Sequence, residues 1–345
     1  MDGEAQHFGP QEIWDFRGTT VALDGPYAYV GAPNSVTPVT GDASGSVEVY
    51  VRAPGGWEFV EEIYPRHSQL SVSFGKALVA SGLRLAVSSP NTTVPSFGRG
   101  GIYIYDRSSG TSVLEALLLP TCIGNGGFGR DLDMDGDVLV LSAPGERCGL
   151  AGFLTGVVHI YERGPLGWAL AQTITNPTTT TSEDFGFSVA VEGNRMIVGS
   201  RADDAICYAR VGGAWTESQR LVNPAPGSFS DFGNDVQISG DILTIADYWD
   251  TSQIGVRPGS VRIYRWNNGQ WAFQQQIETA DVSQTPIVNN RFGVSVSIHD
   301  GRILVGSSRQ SSVTGAAIRT GAAYLFEEFA GVWVETMRID QPLTR

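Results

Sequence analysis
The strongest constraint on this chain is that one short pattern recurs six times in register. The segments are "RGTTVALDGPYAYVGAP" (17–33), "FGKALVASGLRLAVSSP" (74–90), "FGRDLDMDGDVLVLSAP" (128–144), "FGFSVAVEGNRMIVGSR" (185–201), "FGNDVQISGDILTIADY" (232–248) and "FGVSVSIHDGRILVGSS" (292–308). A loop and a second strand follow each: "GSVEVYVR" (45–52), "GGIYIYDR" (100–107), "GVVHIYER" (156–163), "DAICYARV" (204–211), "GSVRIYRW" (259–266) and "GAAYLFEE" (321–328). A short turn then leads to an outer strand, opened by Trp57, Trp168, Trp215, Trp271 and Trp333 in all but the second repeat. The first repeat has Arg17 where the others have Phe.

The local period is two. Val189 and Val191 alternate with Ser188, Ala190 and Glu192, and a dipeptide such as "EG", "SG" or "DG" turns the chain into an apolar second strand. This is hairpin chemistry, and no helical period of useful length competes with it. Gly, at 43 of 345 residues, supplies the turns. Each unit therefore reads as a four-stranded antiparallel meander, A-B-C-D, of roughly 50 residues, the size of one propeller blade. The expected fold is all-β: a single-domain, six-bladed β-propeller of four-stranded blades over 1–345. The repeats span about 16–64, 65–119, 120–176, 177–224, 225–279 and 280–339, and the segment 1–15 is a candidate for closing the ring. A seventh blade needs roughly 40 residues, more than the ends supply.

The "FG…GAP" pattern followed by "G-x-V-x-V-Y" resembles the FG-GAP repeat of integrin α-chain propellers and their shorter bacterial relatives, over about residues 16–339. The resemblance implies a propeller, in the integrin case with seven blades. It says less about activity, because one propeller architecture hosts many.

The stretch "GRDLDMDGDVLVLSAPG" (129–145) begins like a calcium loop, with Asp131, Asp133 and Asp135 at alternate positions before Gly136. The repeat assigns it differently. Asp131 occupies the place of Ser188 and Asp133 that of Ala190, while Leu132 and Met134 match Val189 and Val191. The aspartates then form one face of strand A, and an extended strand cannot curl its side chains around one ion. An EF-hand would want Glu where Ser142 stands. Integrin-type loops add Asp and Asn between strands A and B, ending near the position of Leu139, and all six turns here are too short for that. No cofactor is expected, with calcium on these three aspartates as the alternative.

The four histidines are scattered: His7, His67, His159 and His299. His159 reads as a strand-surface residue, and only His67, in a D–A loop, is placed to line a site. There is no H-E-x-x-H, G-x-S-x-G or P-loop. Cys207 aligns with Val49, Ile104, Ile160 and Ile263, so it reads as a buried small apolar residue. Cys122 and Cys148 lie in loops that leave the same face, which permits a disulfide and would favour an oxidising compartment. "NTT" at Asn91 is a glycosylation sequon.

Function on such a scaffold is expected in its long loops. In a meander the A–B and C–D turns share one face, and the B–C and D–A loops share the other; the second set is long and varied. Its candidate ligand contacts are Arg99, Arg147, Arg201, Asp203, Asp204, Asp247, Tyr248, Trp249, Asp250, Arg257 and Arg309. Trp249, exposed between Asp247 and Asp250, suits a sugar ring or a partner's side chain. The formal charge of −13 argues against nucleic acid, and no apolar run is long enough to span a membrane. The expectation is an extracellular, monomeric binding or adhesion propeller for a protein partner or glycan. A presumed signal segment would have been removed from it. The alternative is a polysaccharide lyase or hydrolase with its site at the central channel.

Overall fold
The computed structural model describes residues 15–38, 41–65, 73–90, 93–94, 98–121, 123–124, 127–147, 156–177, 185–201, 204–224, 231–250, 259–279, 290–309 and 321–340. They form six four-stranded antiparallel sheets, each in the order A-B-C-D, and include no helix. None of the described residues forms a helix long and apolar enough to cross a membrane. The expected blades are all present. The chain divides into two compact units, Met1–Thr181 and Ser182–Arg345, with three blades in each. The N-terminal segment 1–14 lies outside the described residues.

In the first unit the blades are Thr20–Asp24, Tyr27–Ala32, Ser46–Ala53 and Gly56–Ile63; then Leu78–Ser81, Arg84–Ser88, Ile102–Asp106 and Val113–Leu118; then Leu132–Asp135, Val138–Ala143, Val157–Gly164 and Gly167–Thr175. In the second unit they are Ser188–Glu192, Arg195–Gly199, Asp204–Val211 and Ala214–Val222; then Val236–Ser239, Ile242–Asp247, Ser260–Asn267 and Gln270–Ile277; then Phe292–His299, Arg302–Ser307, Ala322–Phe329 and Val332–Asp340. Every A–B connection is a two-residue hairpin, and at 82–83 and 300–301 both turn residues have positive φ, as a type I′ turn requires.

The aspartate stretch takes its place in this scheme. Leu132–Asp135 is strand A, paired Asp133 to Val140 and Asp135 to Val138. Leu132 and Met134 are buried, while Asp135 is exposed at the hairpin. Among the described residues no group of three or more His, Cys, Asp or Glu is arranged to hold a metal ion.

Blades pack face to face, so apolar clusters run across neighbouring sheets. One joins Val47 and Val49 to Leu85 and Tyr103, and another joins Ile197 and Cys207 to Leu243 and Ile245. The FG glycine makes that approach possible. Gly233 has φ +93°, and a Cβ there would lie 2.8 Å from the Ser200 carbonyl oxygen. Its own carbonyl accepts a hydrogen bond from Ser188 Oγ at 2.8 Å and sits 2.2 Å from where a Cβ on Gly199 would be. The FG of one blade is thus seated on the glycine of the preceding "VGS". The FG phenylalanine packs on one residue of strand C, with centroids 5.3 Å apart for Phe74 and Tyr103 and 5.5 Å for Phe292 and Tyr324. In the first blade Arg17 replaces Phe, and its Nη2 lies 2.9 Å from the buried carboxylate of Glu48, which stands where Tyr103 and Tyr324 stand. An ion pair there fills the role of a ring contact.

At the rim, the Gln219 side chain receives the Trp271 amide and donates to its carbonyl, both at 2.8 Å. Gln275 does the same for Trp333. Strand D carries a bulge at one place in all six blades, skipping Val60, Glu115, Ala171, Ser218, Gln274 and Thr336. A bulge adds local twist to the outer strand.

Two expectations about single residues have separate outcomes. Cys207 is buried and its thiol is free; burial pushes its pKa up to about 12. His159 is not a surface residue. It is fully buried, with Nε2 2.8 Å from Glu146 Oε2 and Nδ1 3.0 Å from Thr173 Oγ1, and it lies against Phe128. The strand-surface reading failed because strand C is covered on both faces, by a B–C loop residue on this one. Cys122, Cys148, His67 and Asn91 lie outside the described residues.

Candidate functional site
The loop face of the second unit gathers several of the expected residues from the ends of its three blades. Arg201 follows strand B of the fourth blade. Asp231 precedes the FG of the fifth, Tyr248 and Trp249 follow its strand B, and Arg291 precedes the FG of the sixth.

The backbone of this region is held by carboxylates. Asp247, the last residue of its strand and 1% exposed, accepts hydrogen bonds at Oδ1 from the amides of Asp231 (3.0 Å) and Trp249 (3.1 Å). Asp250, 5% exposed, accepts from Ser260 Oγ at 2.6 Å and lies 3.5 Å from Arg262 Nη2. The sequence placed both aspartates among solvent-facing ligand contacts. They are instead buried anchors: Asp247 through an Asx-type bond to the amide two residues on, which competes well with solvent, and Asp250 through the side chains of Ser260 and Arg262. The Tyr248 amide donates to Asn234 Oδ1 at 3.2 Å, and the Asn234 side chain donates to the Gly293 carbonyl at 3.0 Å, tying the fifth blade to the sixth.

Above these anchors lie the groups that reach the surface. Arg201 makes a two-bond pair with Asp231, Nε to Oδ1 at 2.9 Å and Nη2 to Oδ2 at 3.3 Å, and its guanidinium lies 5.0 Å from the Phe187 ring. Burial, and then a hydrogen bond to Asp231, raise the Tyr248 hydroxyl pKa above its ordinary value. The rings of Tyr248 and Trp249 have centroids 5.7 Å apart at 42°. Both are half-buried, so Trp249 is less exposed than the sequence suggested. The guanidinium of Arg291 lies over both, 5.6 Å from the Tyr248 ring and 5.8 Å from the Trp249 ring. Such stacking is worth about 0.5–1 kcal/mol at an exposed site and more when desolvated.

The remaining expected residues fall into four groups. Arg309 lies at the edge of this cluster, its amide donating to the Asn290 carbonyl at 3.1 Å. Asp204 is apart from it, paired with Arg220 at 2.7 Å and bonded to Ser200 Oγ. Arg99 and Arg147 belong to short strands of the first unit, Gly98–Arg99 and Glu146–Arg147, while Asp203 and Arg257 lie outside the described residues.

The sequence reading missed Asp231, Asn290 and Arg291. The position before FG is occupied by Phe16, Ser73, Gly127 and Arg291, all at positive φ, and in the fifth blade by Asp231, which does not adopt it. An arginine at φ +59° is unusual where glycine or serine serves elsewhere.

Comparison with known proteins agrees with this architecture. A model of the FG-GAP repeat matches residues 168–214. None of the curated proteins compared matches the sequence. Among solved structures, the periplasmic gluconolactonase of Pseudomonas aeruginosa is similar with a TM-score of 0.57 and 14% identity, over 93% of this chain and 84% of that one. At that identity the likeness speaks for the fold alone. The chain thus carries a match to the FG-GAP repeat at residues 168–214, and its six four-stranded antiparallel sheets are the blades of a β-propeller.

Proposed function
We propose that this protein is a binding module and that its ligand, a glycan or a partner protein, is met on the loop face of the second unit around Tyr248, Trp249 and Arg291. The observation that carries the reading is the stacked group itself: two adjacent, half-buried rings under a guanidinium, on a turn anchored by Asp247 and Asp250. Aromatic and arginine side chains on a rigid scaffold are the usual centres of recognition. The carboxylates beside them are committed to structure: Asp231 to Arg201, Asp247 to two amides, Asp250 to Ser260. That commitment favours binding over acid–base chemistry at this place.

A glycan and protein array probed with the wild-type chain and with Trp249→Ala tests the proposal. The expected result is at least one saturable ligand whose affinity falls tenfold or more in the variant. Ligands that bind both proteins equally would place the site elsewhere.

A further inference from the structure
The cations of this face are not equivalent. Arg201 is paired with Asp231 and Arg262 with Asp250. Among the described residues the guanidinium of Arg291 has no hydrogen-bond or ion-pair partner, and its Nε is buried without one. Arg291 as a whole is half-buried, and burying its Nε without a partner carries a cost. The neighbouring Asn290, 1% exposed, has neither its side-chain oxygen nor its nitrogen bonded. Its carbonyl accepts the Arg309 amide, which brings a second arginine to the same corner. The backbone of Arg291 is also held in the left-handed region, at φ +59°. A left-handed backbone, a guanidinium unpaired among the described residues and an unbonded buried amide thus fall on two consecutive positions. The turn before FG takes a positive φ at Phe16, Ser73 and Gly127 as well, and of these four positions only Arg291 bears a charged side chain.

We propose that the ligand of this face carries a carboxylate received by Arg291, and that it is an acidic sugar whose ring lies against Trp249 and Tyr248. The proposal rests on the binding reading of the preceding subsection and adds the ligand's chemistry. Guanidinium and carboxylate match in shape and can form two parallel hydrogen bonds. A uronate bears its carboxylate directly on the pyranose ring. One sugar unit can therefore meet the guanidinium and lay an apolar ring face on the neighbouring aromatic surface. An aspartate or glutamate of a partner protein brings the carboxylate without that ring. The net charge of −13 repels anions at long range, so capture depends on these local arginines.

The test is titration calorimetry of the full chain with hexamers of galacturonate, glucuronate, mannuronate and guluronate, with their carboxyl-reduced neutral counterparts, and with hexaglutamate. At least one uronate hexamer is expected to bind saturably, its neutral counterpart at least tenfold more weakly, and hexaglutamate not detectably. Arg291→Gly and Arg291→Gln are expected to lose at least tenfold in affinity for that uronate. Arg291→Gly should melt no lower than wild type, because glycine accepts this φ without strain. A residue needed only for the fold would show the opposite pair of results. Failure of every uronate to bind, equal binding by Arg291→Gly, or preference for hexaglutamate would overturn the proposal. A neutral ligand that depends on Trp249 and ignores Arg291 would overturn it while leaving the binding face standing.

Discussion

Substituting Ala for Gly233 measures how tightly the FG turn holds one blade to the next. Two costs add. A residue with a Cβ at φ +93° is strained by about 1–2 kcal/mol. The new Cβ would also lie 2.8 and 2.9 Å from the Ser200 carbonyl oxygen and amide nitrogen, and 3.1 Å from the Gly199 Cα. These are backbone atoms, which cannot rotate away, so the blades must part slightly, at about 1–3 kcal/mol for an overpacked site. The reduced freedom of the unfolded chain returns about 0.4–1 kcal/mol. The net expectation is a loss of about 2–4 kcal/mol. Gly193→Ala is the control, since Gly193 has φ +59° and nothing within 4 Å of a Cβ. It bears the strain alone, for a net cost of about 0.5–1 kcal/mol. Urea titration followed by tryptophan fluorescence, at an unchanged slope, reads the difference. If Gly233→Ala costs no more than Gly193→Ala, the close backbone approach is not what the FG glycine serves, and the account of the motif is wrong.

Other expectations follow from the same geometry. Trp271→Ala, at a residue 4% exposed, should cost about 3–5 kcal/mol in chemical denaturation, whereas Trp249→Ala should cost under about 1 kcal/mol; equal losses would refute the division between rim core and loop face. Asp250→Ala leaves buried Arg262 without its carboxylate and should cost about 3–5 kcal/mol, with Ser260→Ala costing less. Stability should fall as pH rises from about 9 to about 12, because Cys207, Tyr29, Tyr161 and Tyr324 are pushed up to about 12 from 9.0 or 10.0 by burial. Above those ordinary values the unfolded state sheds protons that the folded state retains. Melting curves across that range check the sign, and a flat profile would contradict it.

The blades were legible because the repeat carries its own alignment. Six hairpins, with five FG turns and one RG turn in register, leave little freedom in strand order, and Cys207 could be placed by its column alone. The D-strand bulge was not legible, since the skipped residues Val60, Glu115, Ala171, Ser218, Gln274 and Thr336 share no chemistry. A bulge is set by twist and pairing, not by side-chain type. Within the site, Trp249 and Tyr248 stood out as aromatics in a long loop. Asp247, Asp250 and His159 were misread as exposed because their partners are backbone amides or residues ten or more positions away, Ser260 and Glu146 among them. Arg291 escaped notice because its column varies, from Ser73, Gly127 and Asp231 to Arg, and the positive φ that four of these positions adopt leaves no mark on residue type.

Hydrogen exchange on the full chain, with and without the ligand found by the array, tests the central claim most directly. The account predicts slowed exchange at 231–234, 247–250 and 290–294, where the amides of Asp231, Asn234, Tyr248, Trp249, Asp250 and Val294 bind the network of the loop face. It predicts no change at the opposite hairpins 192–195, 239–242 and 299–302. Protection confined to those hairpins, or to the first unit, would contradict it.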